Sequence, residues 1–192
     1  LPTMVKSGLD RRSISYIVVL RESTPDEEDA VFLRQTVFER LNTGGVRLER
    51  QEIRNCLYQG KFNELIIELS QNDEFRDAFG LPRFSDDEIE PNAAIRNKAM
   101  YKKLTDAELV LRFFALRHAE HYAKGMGAFL DIYMSRARYF SDQDIDDLRD
   151  QFLYTIKLAT DLYSDKIFRK YDTKTSNWSS KAQTAFFDAV MV

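Results

Sequence analysis

The chain has 192 residues, enough for one domain or for one domain and part of a second. Hydrophobic residues make up 44% and aromatic residues 12%, ample for a packed core, which excludes a disordered chain. Lys and Arg number 28 against 31 Asp and Glu, so no global field marks a nucleic-acid binder, and any such site must be a local patch. Cys56 is the sole cysteine, which excludes an internal disulfide and a cysteine-based zinc cluster and predicts a small core residue. No apolar run has the length of a membrane span and no secretory signal is visible, so no membrane partner is expected and the cytoplasm is the default compartment.

The chain begins at Leu1 rather than Met, and a fragment of a longer protein is expected. Ile14–Leu20 is a β-branched, apolar run bounded by polar residues, which predicts a buried strand. A lone buried strand cannot stand. Its partners are therefore expected upstream of Leu1 or in another molecule. Thr24-Pro-Asp-Glu27 opens a helix, with Thr24 as cap, Pro25 at the first helical position and Glu27 completing a capping box. Ala30, Leu33, Val37 and Leu41 recur at helical spacing and are assigned to the core. Arg34 and Arg40 fall away from that stripe. Arg40, two residues before Asn42, is either a solvated charge or a group that reaches a bound anion.

Asn42, Thr43, Gly44 and Gly45 follow, residue types that let a helix stop and reverse through left-handed backbone angles. Such a corner exposes backbone N–H groups beside the positive end of the next helix, a setting that suits a phosphate, although a plain connection between helices needs no ligand. Leu48–Gln59 is the predicted second helix, stopped by Gly60, with Ile53, Cys56 and Leu57 buried. Arg47, Arg50 and Arg54, with Lys61, tilt the surrounding surface positive against Glu49 and Glu52. That field suits a phosphate or nucleic-acid backbone, and equally an ordinary solvated face. Glu49 favours the helix dipole but would repel a phosphate bound at the same helix end.

Phe62–Leu69 and Asp73–Phe79 are two further short helices, the second ending at Gly80-Leu-Pro82. Residues 83–96 are polar, contain Pro91 and read as a connection, with the Ser85-Asp-Asp-Glu88 box able to open a short helix; any internal boundary lies here. Thr105-Asp-Ala-Glu108 is a capping box opening a helix that is apolar on several sides through Leu116, the pattern of a central bundle helix. His118 and His121, with Glu120 between them, lack a third metal ligand and are assigned to structure or surface, so no metal site is expected. Gly125-Met-Gly127 is a break before a helix holding Phe129, Ile132, Tyr133 and Tyr139. Ser141-Asp-Gln-Asp144 starts a long amphipathic helix whose stripe runs Ile145, Leu148, Phe152, Ile156, Ala159 and Leu162 or Tyr163. Beyond it Lys166, Arg169, Lys170, Lys174 and Lys181 are interleaved with Phe168, Tyr171 and Trp178. This is either a grip for a nucleic-acid strand or a loop packing its aromatics on the bundle. Residues 182–190 close the chain as an apolar helix.

The string Phe38-Glu-Arg-Leu-Asn-Thr-Gly-Gly-Val-Arg-Leu-Glu-Arg-Gln-Glu-Ile-Arg-Asn55 resembles, without gaps, the second signature of the ParB-like domain of GmrSD-type restriction proteins, a family that includes SspE-type phage-defence proteins. Two features depart from the family. Glu49 stands where a Ser or Thr normally follows the leucine, and the family's first signature, Asp-Gly-Gln-Gln-Arg, occurs nowhere in these residues.

The resemblance implies a bacterial, nucleotide-dependent restriction protein: a ParB-like sheet domain that binds and hydrolyses GTP or ATP with magnesium, coupled to a fused or separate nuclease that cuts modified or phage DNA. The missing motif would supply the catalytic residues, so none is assigned here and the chain alone is expected to be inactive. Asn42, Thr43, Gly44 and Gly45 would form the opposing wall with Arg40, braced by Glu52 and Asn55. DNA contact is assigned to Arg47, Arg50, Arg54, Lys170 and Lys174. The alternative is a non-catalytic helical module that binds DNA or a nuclease partner; an oligomer is compatible with both. The expected fold is mainly α with one buried strand, the helical part of a truncated α+β ParB-like domain, divided into 1–82 and a helical bundle over 97–192.

Overall fold

A computed structural model of the chain describes residues 48–84 and 104–192, together with 30, 33, 34, 36–38 and 40, all seven of which are helical. The Ile14–Leu20 strand and most of the 83–96 connection lie outside the described residues. Those described are mainly helical, as the patterning predicts. The helices are α1 (Arg50–Leu57), α2 (Lys61–Leu69), α3 (Asp73–Ala78), α4 (Thr105–Leu116), α5 (Gly125–Ala137), α6 (Asp142–Tyr163) and α7 (Thr184–Met191). Between α6 and α7 an antiparallel hairpin pairs β1 (Tyr171–Asp172) with β2 (Asn177–Trp178).

Helix α4 takes the central place its sequence calls for. Eight of its twelve residues are buried, and it packs against α1, α2, α5 and α7. Helix α6 lays Ile145, Phe152, Ile156 and Ala159 against α2, α3 and α7. Its apolar stripe stops there: Leu162 is 69% exposed and Tyr163 47%, contrary to the predicted fifth turn. Aromatic rings tie the layers together, with Phe113 edge-on to Phe152 at 5.3 Å and Phe75 edge-on to Phe187 at 6.0 Å. Helices on both sides of the expected 83–96 boundary contribute to this one core cluster, from Tyr58 to Met191.

Helix ends follow the sequence expectation at Ser141 and depart from it at Gly60 and Thr105. Asn72 caps α3 by accepting the Phe75 N–H at 3.0 Å, and Ser141 caps α6 in a reciprocal box with Asp144. Gly60, predicted to end α1, instead caps α2 at φ +142°, backbone that a side chain would strain. Thr105 is the first residue of α4 rather than its cap; Leu104 takes the cap position, and Glu108 turns to a tertiary partner.

One buried charge pair links α3 to α4. Arg76, fully buried at the end of α3, donates to the carbonyls of Ser70 (3.2 Å) and Pro82, stacks on Phe84 at 4.6 Å, and lies 3.6 Å from Asp106. Burial pushes the Asp106 carboxyl above its ordinary range, held back by the Ala107 N–H and the Arg76 charge. Replacing Arg76 with Met leaves that carboxylate buried without a counter-charge, at a cost of about 3–5 kcal/mol near neutrality. Loss of the Arg76 charge raises the Asp106 pKa still further, so protonation relieves the penalty, and the deficit relative to the parent shrinks as pH falls from the variant's pKa to the parent's. Urea denaturation of both proteins near pH 7 and at about pH 5 measures the difference.

Candidate functional site

The candidate site is entered through α1, the helix that follows the glycine corner. Glu49 is its N-cap in extended backbone (φ −74°, ψ 159°), and Glu49 and Glu52 form a reciprocal capping box in which Glu52 accepts the Glu49 N–H at 2.7 Å. The departure from Ser or Thr at this position therefore keeps the cap. It also has a chemical consequence: two carboxylates occupy the positive end of α1, so that helix dipole is not free to hold a phosphate. An anion bound nearby must rely on the backbone and cations before Leu48.

Behind this turn lies a buried polar cluster. Arg54 is only 1% exposed, and all three of its nitrogens donate. Nε bonds Asp131 of α5 at 2.6 Å, and Nη1 bonds Glu108 of α4 at 2.9 Å and Gln51 of α1 at 3.0 Å. Nη2 bonds the Gly127 carbonyl of α5 at 3.2 Å. A guanidinium can satisfy this fork; a lysine cannot. Tyr58, one turn further along α1, is buried beside it, and its hydroxyl finds no hydrogen-bond partner among the described residues. Burial, and then the Asp131 charge, push the Tyr58 hydroxyl up to about 12, while Arg34, Arg54 and Arg138 pull it back. Arg34, in the helical segment before α1, bonds the Ala30 carbonyl through Nε at 3.3 Å.

Arg54 is thus not on the basic surface assigned to it, because its charge is committed to two carboxylates in the interior. Cys56 is corrected in the other direction: it is exposed, and Leu57 only half-buried. The buried face of α1 is Gln51, Ile53, Arg54 and Tyr58. Gln51, Arg54 and Tyr58 stand at i, i+3 and i+7, so the helical period was legible, but it was carried by polar residues and passed unnoticed.

The other predicted residues are placed as follows. Asn42, Thr43, Gly44, Gly45 and Arg47 lie outside the described residues. Arg40 is helical and exposed, and Glu52 is engaged in the cap. Asn55 is half-buried and accepts from the Asn63 amide of α2 at 2.6 Å, which braces α1 against α2. Arg50 is exposed, yet its guanidinium lies so close to Gly127 that a Cβ there would stand 1.4 Å from Nη1. Lys170 and Lys174 are exposed at the hairpin.

His118 and His121 are both exposed, each 3.7 Å from Glu120. Among the described residues no group of three or more His, Cys, Asp or Glu side chains is placed to hold a metal. A shallow cleft of about 320 Å³ between α5, α6 and the turn after α4 is lined by His118, Tyr133, Asp144 and Gln151, among others, and includes none of the predicted site residues. No helix of the described residues is long and apolar enough to cross a membrane.

Comparison of the chain with protein-family models, with curated proteins and with solved structures finds no match. The likeness of Phe38–Asn55 to the ParB-like signature rests on those residues alone.

Removal of the Arg54 fork tests what holds α1. Arg54→Met is expected to destabilise the fold by about 3–5 kcal/mol, since it strands Asp131. Arg54→Lys, which keeps the charge but not the fork, is expected to lose on the order of 1–3 kcal/mol. Arg50→Ala should stay within about 0.5 kcal/mol of the parent. Urea midpoints at constant m-value report all three.

Proposed function

We propose that this chain supplies one wall of a nucleoside-triphosphate site in a nucleotide-dependent restriction protein of the ParB-like type. The observation that carries the reading is the ungapped string Phe38–Asn55, with Asn42, Thr43, Gly44 and Gly45 at its centre. Backbone N–H groups of that corner and the Asn42 side-chain amide would meet the phosphates, with Arg40 as a cation from the preceding helix and magnesium, when bound, offsetting phosphate charge. The opposing wall and the hydrolytic residues belong to an Asp-Gly-Gln-Gln-Arg segment that is not among these 192 residues.

The architecture around α1 is compatible with this reading and gives it a physical route. Arg54, Asn55 and Tyr58 fasten α1 to α2, α4 and α5, so a load applied at the start of α1 is passed to the bundle rather than absorbed by a loose helix. In the proposed protein that route couples nucleotide occupancy to a nuclease domain or subunit acting on DNA. A second reading, a non-catalytic helical module that contacts DNA or a nuclease partner, is favoured by a different observation: the exposed aromatic and basic hairpin between α6 and α7.

Calorimetric titration of GTP and ATP with magnesium tests the first reading, on this chain and on a longer form that carries the Asp-Gly-Gln-Gln-Arg segment. Binding by the longer form alone is the expected result. In that form Asn42→Ala is expected to weaken nucleotide binding by roughly tenfold to a hundredfold, the loss of one hydrogen bond to a charged group, with the melting curve unchanged. Binding by neither form removes the nucleotide reading, and unfolding of the Asn42→Ala variant returns the motif to a structural role.

A further inference from the structure

We propose that the hairpin between α6 and α7 is a binding surface for single-stranded nucleic acid, with Tyr171 and Trp178 as stacking platforms and Lys170, Lys174 and Lys181 as phosphate contacts. It deepens the second reading above and is independent of the nucleotide site.

The hairpin is built to display rings rather than to bury them. Tyr171 pairs with Trp178 across the two strands, with ring centroids 5.2 Å apart, and both remain over 40% exposed. Every residue from 171 to 178 is exposed. Two large aromatics in water cost free energy that a core position would recover, and this chain has a core of stacked phenylalanines a few residues away. Phe168 takes that place: it is 2% exposed, packed on Phe187 and Phe79, and holds a left-handed backbone (φ +56°) that turns the chain outward.

The base of the hairpin is fixed. Ser179 N–H donates to the Lys170 carbonyl at 2.7 Å, Lys170 N–H donates to the Ser179 hydroxyl at 3.0 Å, and Gln183 N–H donates to the Phe168 carbonyl at 2.8 Å. At the tip, Asp172 accepts the Lys174 N–H at 2.9 Å and Asn177 donates to the Thr175 carbonyl at 2.9 Å. The rings are therefore held by a closed frame and not by burial.

Charge selects the partner. From 165 to 181 five basic residues face two acidic ones, a positive excess of three in a chain whose net charge is −3. Asp165 is paired with Lys166 at 2.6 Å, and Asp172 lies near Lys170 and is held to the tip by the Lys174 N–H. Lys170, Lys174 and Lys181 are exposed and make no ion pair among the described residues. Cations beside half-exposed aromatic rings match a polyanion whose bases are free to stack, which is single-stranded nucleic acid; in a duplex the bases are already stacked on one another.

Trp178 is the only tryptophan of the chain, so its fluorescence reports this surface directly. The test titrates the 192-residue protein with an oligothymidylate of about 12 nucleotides, and with a duplex of the same length, between about 50 and 200 mM salt. The expected result is quenching of Trp178 by the single strand, tighter binding than to the duplex, and a log–log salt slope near −2 for about three phosphates. Lys174→Glu sits at the tip, outside both strands, and is expected to flatten that slope. Followed by anisotropy of a labelled strand, Trp178→Ala should lose at least about fivefold in affinity, while Trp178→Phe, which keeps a ring, retains it. Absence of binding, binding without a change in Trp178 emission, equal or tighter binding of the duplex, or an unchanged affinity in Lys174→Glu would each overturn the proposal. None of these outcomes bears on the GTP and ATP titrations.

Discussion

The guanidinium of Arg54 is the point on which the described architecture depends. It reaches Asp131 and Gly127 on α5, Glu108 on α4 and Gln51 on its own helix, so three helices share one planar group. Hydrophobic contact alone would let α1 slide or rotate on its neighbours, because apolar packing is non-directional. A buried fork with fixed donor angles does not permit this: a shift of one residue would leave charges in the interior without partners. Asn55 on Asn63 adds a second directional tie from α1, toward α2. Helix α1, which follows Asn42–Gly45 in the chain, is thus positioned by polar geometry while the bundle behind it is assembled from phenylalanine.

Arg76 and Asp106 repeat the device at the junction of α3 and α4, with a difference in kind. There the guanidinium is satisfied largely by the carbonyls of Ser70 and Pro82, and the carboxylate stands 3.6 Å away. Asp106 consequently bears the cost of burial, whereas Asp131 is met at 2.6 Å. Exposed pairs such as Arg83 with Asp73 and Asp77 lie in water and contribute little to uniqueness. The two buried arginines, one on α1 and one on α3, make the charged contacts that set how the N-terminal helices sit on α4.

Much of the helical frame was legible because its signals are local. The start at Ser141 and the stripe from Ile145 to Ala159 are fixed by neighbours three or four residues away, and the structure realises them. What escaped reading is tertiary. Glu108 sits in the sequence pattern of a capping box, yet its carboxylate is used by Arg54, which lies 54 residues earlier. Arg54 resembles a surface cation in every local respect, and only its spacing to Gln51 and Tyr58 hinted at a buried polar face. Cys56 was assigned by residue type to an interior it does not enter. The Tyr171–Trp178 pairing combines β-formers with a turn of ordinary polar residues, and no Asn-Gly or Gly-Gly signal announces it. At the candidate site, Glu52 caps α1 and Asn55 ties it to α2, and the corner they were expected to brace rests on sequence pattern alone.

The long separation between Arg54 and its partners has a consequence for the order of events during synthesis. Asp131 follows Arg54 by 77 residues. At about 5–20 residues per second, a ribosome needs roughly 4–15 s after incorporating Arg54 before it incorporates Asp131. Throughout that interval α1 has no means of docking with its charge neutralised on α5, however early its own turns form. The nascent chain can tie α1 to α2 through Asn63 and pair Arg54 with Glu108 before α5 exists, but the full Arg54 fork is timed by translation of a distant stretch rather than by the sequence of α1 itself.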